Sequence, residues 1–124
     1  MTPEQHLNNV ARGLAKRGGS ANEVSAMRCW IEDTNFKKRR CFYCAIKLTG
    51  TTWSLDHDKP LSKGGGHSLD NFRLCCKKCN RAKGDMSGQE YLSLRAFLFE
   101  TLDSEVANSV IRRLAASGFM FRRH

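Results

Sequence analysis

The apolar residues among the first 36 positions recur with the period of a helix. Thr2, Pro3 and Gln5 predict where the first helix begins. Threonine caps exposed amide groups, proline suits the first helical position, and glutamine completes a capping box. The apolar face that follows is formed by Leu7, Val10, Ala11 and Leu14. Gly18 and Gly19 end this helix.

A second helix is predicted to begin after Ser20, with Glu23 as its capping partner. Its apolar face is formed by Val24, Met27, Trp30 and Ile31. We expect both apolar faces to be ordinary parts of the core. Cys29 stands next to Trp30, and we expect it to be a small core residue.

Residues 37–84 change to short alternating segments and contain five of the six cysteines. Residues 51–55 are rich in β-forming side chains and predict a strand. Residues 72–74 predict a second strand, and a glycine-rich loop at 63–67 lies between the two. From Lys77 onward the pattern predicts a short helix.

Residues 85–124 return to a helical pattern. Ser87 and Glu90 form a third capping box. The helix that follows has an apolar stripe made of Tyr91, Leu94, Phe97 and Leu98. A last helix is predicted from Asp103 or Ser104 to a stop at Gly118, before a basic and aromatic tail. Its apolar residues are Val106, Val110, Ile111 and Leu114.

These segments predict an α+β fold in a single domain of residues 1–124. Helices at 1–36 and 85–124 would flank a core at 37–84. A length of 124 residues is typical of one domain. The mean hydropathy of −0.51 indicates a thin hydrophobic core, which additional cross-links would help to stabilise.

The charge and the N-terminal residues narrow the class of protein. The net charge of +9 favours polyanionic partners, above all nucleic acid. The polar N-terminus resembles no secretory signal, and no apolar run approaches the about 20 residues of a membrane span. We therefore expect a cytoplasmic protein with no membrane partner, in a compartment where thiols stay reduced.

Two CxxC pairs, Cys41 with Cys44 and Cys76 with Cys79, can each place two thiolates on one metal ion. Together they predict a closed, structural zinc site with four cysteine ligands. The segment between the pairs is longer than in common zinc ribbons, so it must be a folded insert. The alternatives are a redox CxxC motif or buried free thiols. Cys75 is left over, because the CxxC spacing pairs Cys76 with Cys79.

The insert carries a polar pattern of its own. Asp56-His57-Asp58 precedes Pro60, the glycine loop ends in Asp70-Asn71, and the second CxxC pair continues as CNxxKG to Gly84. At these offsets, residues 41–84 resemble the HNH endonuclease family. The resemblance implies a small ββα-metal nuclease core, stapled by the four-cysteine zinc site. The flanking helices have no part in the resemblance.

The resemblance also implies roles for four residues. His57 would be the general base that activates water. Asp56 would be the first metal ligand and Asn80 the second. Asn71 would tie the loop together and hold the backbone of the histidine. The last residue of the family motif is often histidine; asparagine here keeps a carbonyl oxygen and favours Mg²⁺ or Mn²⁺ at this position.

The chemistry of these side chains agrees with the implied roles. A histidine can take a proton from water at neutral pH, and a carboxylate can bind a hard divalent cation. Neighbouring residues on a strand point to opposite faces. We therefore expect a bend where the strand ends, near Pro60, to bring Asp56 and His57 around one phosphate.

Basic residues around this core are candidate contacts to the DNA backbone, which would be independent of sequence and sensitive to salt. They are Lys37, Lys38, Arg39, Arg40, Lys63, His67, Arg81 and Lys83. Each also has a simpler interpretation, because charge runs usually lie on solvated faces and a loop histidine is usually only exposed.

The sequence thus predicts a metal-dependent HNH endonuclease that nicks or cuts DNA, with one structural zinc and one catalytic Mg²⁺ or Mn²⁺. A small enzyme of this kind would be encoded by a bacterium or a phage. The alternative is a non-catalytic zinc module that binds nucleic acid. It accounts for the charge and the cysteines, but not for Asp56, His57, Asn71 and Asn80 at matching offsets. Monomer and homodimer are both left open.

Overall fold

The two expected strands pair into one antiparallel hairpin. The computed structural model describes residues 1–117, and in it β1 (Trp53–His57) pairs with β2 (Phe72–Cys76). The register places Trp53 opposite Cys76 and His57 opposite Phe72. The first strand was predicted at 51–55 but begins two residues later. Thr51 and Thr52 lie in a turn, where their hydroxyls bond Thr49.

A short helix, α3 (Lys77–Lys83), follows β2 directly and packs back on the hairpin. Cys76 caps it, since its sulfur accepts a hydrogen bond from the amide of Cys79. The order strand, strand, helix confirms the predicted ββα unit within an α+β fold. All candidate catalytic residues lie on this unit or in the loop that joins its strands.

The two N-terminal helices cover one face of the hairpin. They are α1 (Pro3–Lys16) and α2 (Ala21–Glu32), and both predicted capping boxes are present. The ring of His6 lies edge-on to Trp53, and its Nε2 donates to the Trp53 carbonyl at 2.7 Å. Trp30 stacks on Phe72 at 6.3 Å between ring centroids. The side chains that α1 and α2 bury are Leu7, Ala11, Leu14, Met27 and Ile31.

The C-terminal helices are α4 (Gly88–Thr101) and α5 (Ser104–Ser117). The capping box of Ser87 and Glu90 is present as predicted. Helix α5 packs against α3, and α4 is tied to the hairpin because the Gly88 amide donates to Asp58 Oδ1 at 3.0 Å. A side chain at Gly88 would collide with that carboxylate.

Some predicted core positions are not buried. Cys29 is exposed, so its expected place in the core is wrong. It stands two residues from both Met27 and Ile31, and at about 3.6 residues per turn this places it on the opposite side of α2. Phe97 is 61% exposed and Val106 is 45% exposed.

Two predictions fall beyond residue 117. The helix stop at Gly118 and the basic, aromatic tail at 119–124 both lie outside the described residues. Among residues 1–117, no helix combines the length and the apolar character that crossing a membrane would require.

Candidate active site and metal centre

The four cysteines of the two CxxC pairs form one cluster. The sulfur atoms of Cys41, Cys44, Cys76 and Cys79 all lie within 4.8 Å of one another. Cys44 Sγ and Cys76 Sγ are 3.7 Å apart. Two ligands of a tetrahedral zinc with bonds of about 2.3 Å would be about 3.8 Å apart. The cluster can therefore hold a zinc ion with four protein ligands.

Backbone amides point at these sulfurs, as thiolate ligands require. The amides of Tyr43 and Cys44 donate to Cys41 Sγ, at 3.4 and 3.5 Å, and the amide of Cys79 donates to Cys76 Sγ at 3.4 Å. Hydrogen bonds from Cys76 and Cys79 lower the pKa of Cys41. The same contact with Cys41 raises the pKa of Cys76 to about 11. A divalent cation would replace the protons that the sulfurs share.

The remaining cysteine of this region stays outside the cluster. Cys75 is fully buried, and its thiol points to the carbonyl of Ser54 at 3.9 Å. Burial raises the pKa of this thiol, so it is an inert core residue rather than a metal ligand.

Asp56 occupies the fourth position of β1, and its carboxylate is buried by two donors from elsewhere in the chain. The Tyr43 hydroxyl donates to Oδ2 at 2.5 Å, and Lys83 Nζ lies 3.0 Å from Oδ1. Burial raises the pKa of Asp56, and Lys83 and Tyr43 lower it in part. Tyr43 stands between the first two cysteines, so the knuckle also orients the candidate metal ligand.

Lys83 lies inside the fold. Its side chain is 1% exposed, and its ammonium also donates to the carbonyl of His57 at 3.0 Å. One buried cation thus holds both the Asp56 carboxylate and the backbone of the next residue. This place differs from the solvent-facing position that a contact to a DNA phosphate requires.

His57 ends β1, and its ring is held between two neighbours. The ring lies edge-on to Phe72 and to His67, each at 5.1 Å between centroids. Its Nε2 is 3.0 Å from Nδ1 of His67. His67 comes from the glycine loop and is half-buried. A predicted contact to nucleic acid therefore stands directly beside the candidate general base.

Asp56, His57 and Asn80 line one small cavity at the end of β1. Its volume is about 80 Å³, and Lys83 and Arg17 also line it. The chain turns at Pro60 beyond the strand, as expected, so two residues that are adjacent on a strand face the same space. Asn80 comes from α3, and its amide can supply an oxygen beside the carboxylate.

Arg17 is a cavity residue that sequence reasoning missed. It follows the last residue of α1 and lies far along the chain from the motif. The only local signal is a basic residue before Gly18-Gly19, and such residues are common at helix ends.

Asn71 does not line the cavity but joins the two ends of the glycine loop. Its Oδ1 accepts from the Lys59 amide at 2.9 Å, and its Nδ2 donates to the carbonyls of Lys59 and Gly66. Gly65 packs on the same loop so closely that any side chain there would collide with the Lys59 carbonyl. The loop that carries His67 is therefore held in one shape.

The other basic candidates lie on the outside of the fold. Lys37, Lys38, Arg40 and Arg81 are at least partly exposed. Lys63 is exposed and pairs with Glu90 at 3.0 Å. Arg39 is half-buried, with its guanidinium 5.9 Å above the Trp30 ring.

Comparison with known proteins supports a nuclease-type function. Residues 41–86 match the family model of HNH endonuclease, which confirms the predicted resemblance over that segment. A similar curated protein is the DNA annealing helicase and endonuclease ZRANB3 of Bos taurus, 40% identical over 47 residues. The aligned part is 37% of this chain and only 4% of the relative's length.

Proposed function

We propose that this protein is a metal-dependent endonuclease that hydrolyses phosphodiester bonds of DNA. The observation that carries the proposal is the cavity at the end of β1, which brings together Asp56, His57 and Asn80. They are a carboxylate, an imidazole and an amide, from one strand end and one helix. The match of residues 41–86 to HNH endonuclease supports the same reaction class.

His57 is the general base in this proposal. Its imidazole removes a proton from a water molecule, whose oxygen then attacks the phosphorus. The bond from phosphorus to the leaving oxygen breaks, and that oxygen takes a proton from solvent. General base catalysis of this kind contributes about 10²- to 10⁴-fold to the rate. Lys83 and Phe72 hold the backbone and the ring of His57 in place.

Asp56 and Asn80 would hold the catalytic cation. Their oxygen donors suit a hard ion such as Mg²⁺ or Mn²⁺. When bound, the cation would offset the negative charge that develops on the phosphate and on the leaving oxygen. Lys83 and Tyr43 fix the orientation of the Asp56 carboxylate beforehand. The four-cysteine cluster would hold a separate structural zinc.

The test is cleavage of supercoiled plasmid with Mg²⁺, with Mn²⁺ and with EDTA, under conditions that leave the zinc content unchanged. We expect the wild type to nick or linearise the plasmid only with added metal. His57→Ala should be at least about 100-fold slower, because it removes the base, and should bind DNA as tightly as the wild type. His6→Gln alters a histidine outside this cavity and should cleave normally.

A different result would favour the binding module. If neither protein cleaves plasmid with either metal, while both bind DNA equally, the nuclease proposal fails. The ratio of nicked to linear product from the wild type would decide between single-strand and double-strand cleavage.

A further inference from the structure

His67 links the candidate base to the N-terminal helices through two hydrogen bonds. Its Nδ1 is 3.0 Å from His57 Nε2. Its Nε2 is 3.1 Å from the carbonyl oxygen of Arg17, at the end of α1. A chain of three groups therefore runs from the candidate active site to a helix outside the HNH match at residues 41–86.

The carbonyl sets the direction of both bonds. A carbonyl oxygen can only accept, so Nε2 of His67 donates to Arg17. In a neutral imidazole the other nitrogen is then an acceptor, so Nδ1 of His67 accepts. The donor to it is Nε2 of His57. His57 is thereby held in the tautomer with its proton on Nε2 and its lone pair on Nδ1.

The loop and the helix fix the two ends of this chain. Asn71 binds the carbonyl of Gly66, next to His67, and joins it to Lys59. The Arg17 carbonyl lies at the C-terminal end of α1, where the helix dipole is negative and favours a donor. The His67 ring is also in edge contact with the His57 ring.

We propose that His67 is a positioning residue that fixes the tautomer and orientation of His57, and that the end of α1 anchors it. The proposal rests on the proposed function in one respect, namely that His57 is the general base. With Nε2 of His57 occupied as a donor, Nδ1 is the nitrogen that takes the proton from water. In a similar arrangement, the orienting partner of a catalytic histidine selects the tautomer that can act as a base.

This role competes with a direct contact between His67 and nucleic acid. Both ring nitrogens of His67 are engaged within the protein, so a bond to phosphate would break one of these contacts. A positioning residue should change kcat, whereas a residue that only binds DNA should change KM.

The first test is steady-state cleavage by the zinc-loaded full chain, with His67 variants. His67→Ala should lower kcat about 10- to 100-fold with KM within about twofold, as for other groups that orient a catalytic residue. His67→Asn places an oxygen near the position of Nδ1 and should recover most of the rate. His67→Gln reaches toward Arg17 but offers His57 no acceptor at that position, so it should resemble alanine. Ser62→Ala, an exposed residue of the same loop, is the control.

The second test needs no cleavage. Long-range ¹⁵N–¹H spectra of the zinc-loaded protein report which ring nitrogen of each histidine carries the proton. We expect His57 to be protonated on Nε2 in the wild type and to become a mixture of tautomers in His67→Ala. His6, whose Nε2 donates to the Trp53 carbonyl, is an internal reference that should not change.

Three results would overturn the proposal. They are a proton on Nδ1 of His57 in the wild type, a His67→Ala variant with raised KM but unchanged kcat, and a His67→Asn variant as slow as alanine. If the wild type cleaves no DNA, the proposed function fails together with the catalytic role of His67. The spectra would still decide whether the hydrogen-bond chain exists.

Discussion

At the residue scale, the candidate site depends on a buried ion pair. Lys83 and Asp56 are 3.0 Å apart, and their side chains are only 1% and 5% exposed. Two charges in such a place are stable only because each compensates the other and because further hydrogen bonds complete their shells. Tyr43 supplies such a bond to the carboxylate, and the His57 carbonyl accepts one from the ammonium.

We predict that Lys83→Met lowers the free energy of unfolding by about 3–5 kcal/mol, because it leaves a buried carboxylate without its cation. Urea denaturation of the zinc-loaded protein measures this loss. Lys77→Met removes an exposed lysine from the same helix and should stay within about 0.5 kcal/mol of the wild type. Unchanged stability with weakened DNA binding in Lys83→Met would instead place this lysine on a phosphate.

At the element scale, the sulfur cluster joins the ββα unit to the segment before it. Cys41 and Cys44 belong to a turn ahead of β1, and Cys76 and Cys79 lie at the junction of β2 and α3. The Phe42 amide also donates to the Leu74 carbonyl, so the turn rests on β2. A two-strand hairpin alone is at best marginally stable in water. The cluster therefore supplies a constraint that this small sheet needs.

We predict that Cys79→Ser loses the bound zinc and the cooperative thermal transition. Zinc binding to small structural sites contributes on the order of 10 kcal/mol or more of folding free energy. Metal analysis and circular dichroism measure the two effects. Cys29→Ser, at an exposed cysteine outside the cluster, should retain one zinc per chain and melt as the wild type does. A full zinc complement in Cys79→Ser would contradict the assignment.

At the scale of the whole molecule, the two pairs of flanking helices enclose the ββα unit and leave its basic surface outside. Helices α1 and α2 cover the Trp53 and Phe72 side of the hairpin, and α5 packs on α3. The net charge of +9 is carried mainly by exposed lysines and arginines. Such a surface would attract DNA through its phosphates whatever the base sequence.

We predict that Lys37→Gln with Lys38→Gln weakens DNA binding equally for different sequences. Each lost phosphate contact lowers the slope of log K against log salt by about 0.9 for duplex DNA. Fluorescence titration over a range of salt concentrations measures that slope.

The control for this pair is Arg112→Gln with Arg113→Gln, which removes the same charge from exposed positions of α5. If both double variants change the slope equally, binding follows net charge. The run before the first knuckle would then make no particular contact.

Local signals explain why much of the fold could be predicted. The three capping boxes, the two CxxC pairs and the order strand, strand, helix each depend on residues a few positions apart. Their physics is complete within a turn or a short element, so the sequence shows it directly. The predicted cysteine set was correct for the same reason, since a CxxC turn brings its two sulfurs together regardless of the rest of the chain.

The sequence by itself thus determined the elements, the metal-binding cysteines and the candidate chemistry of Asp56, His57 and Asn80. Only the tertiary structure decided that Lys83 is buried against Asp56, that Cys29 is exposed, and that His67 and Arg17 reach the candidate base. These outcomes depend on contacts between residues as far apart as Arg17 and His67. Distant contacts follow from how helices pack on the hairpin, and no local pattern of side chains specifies that packing.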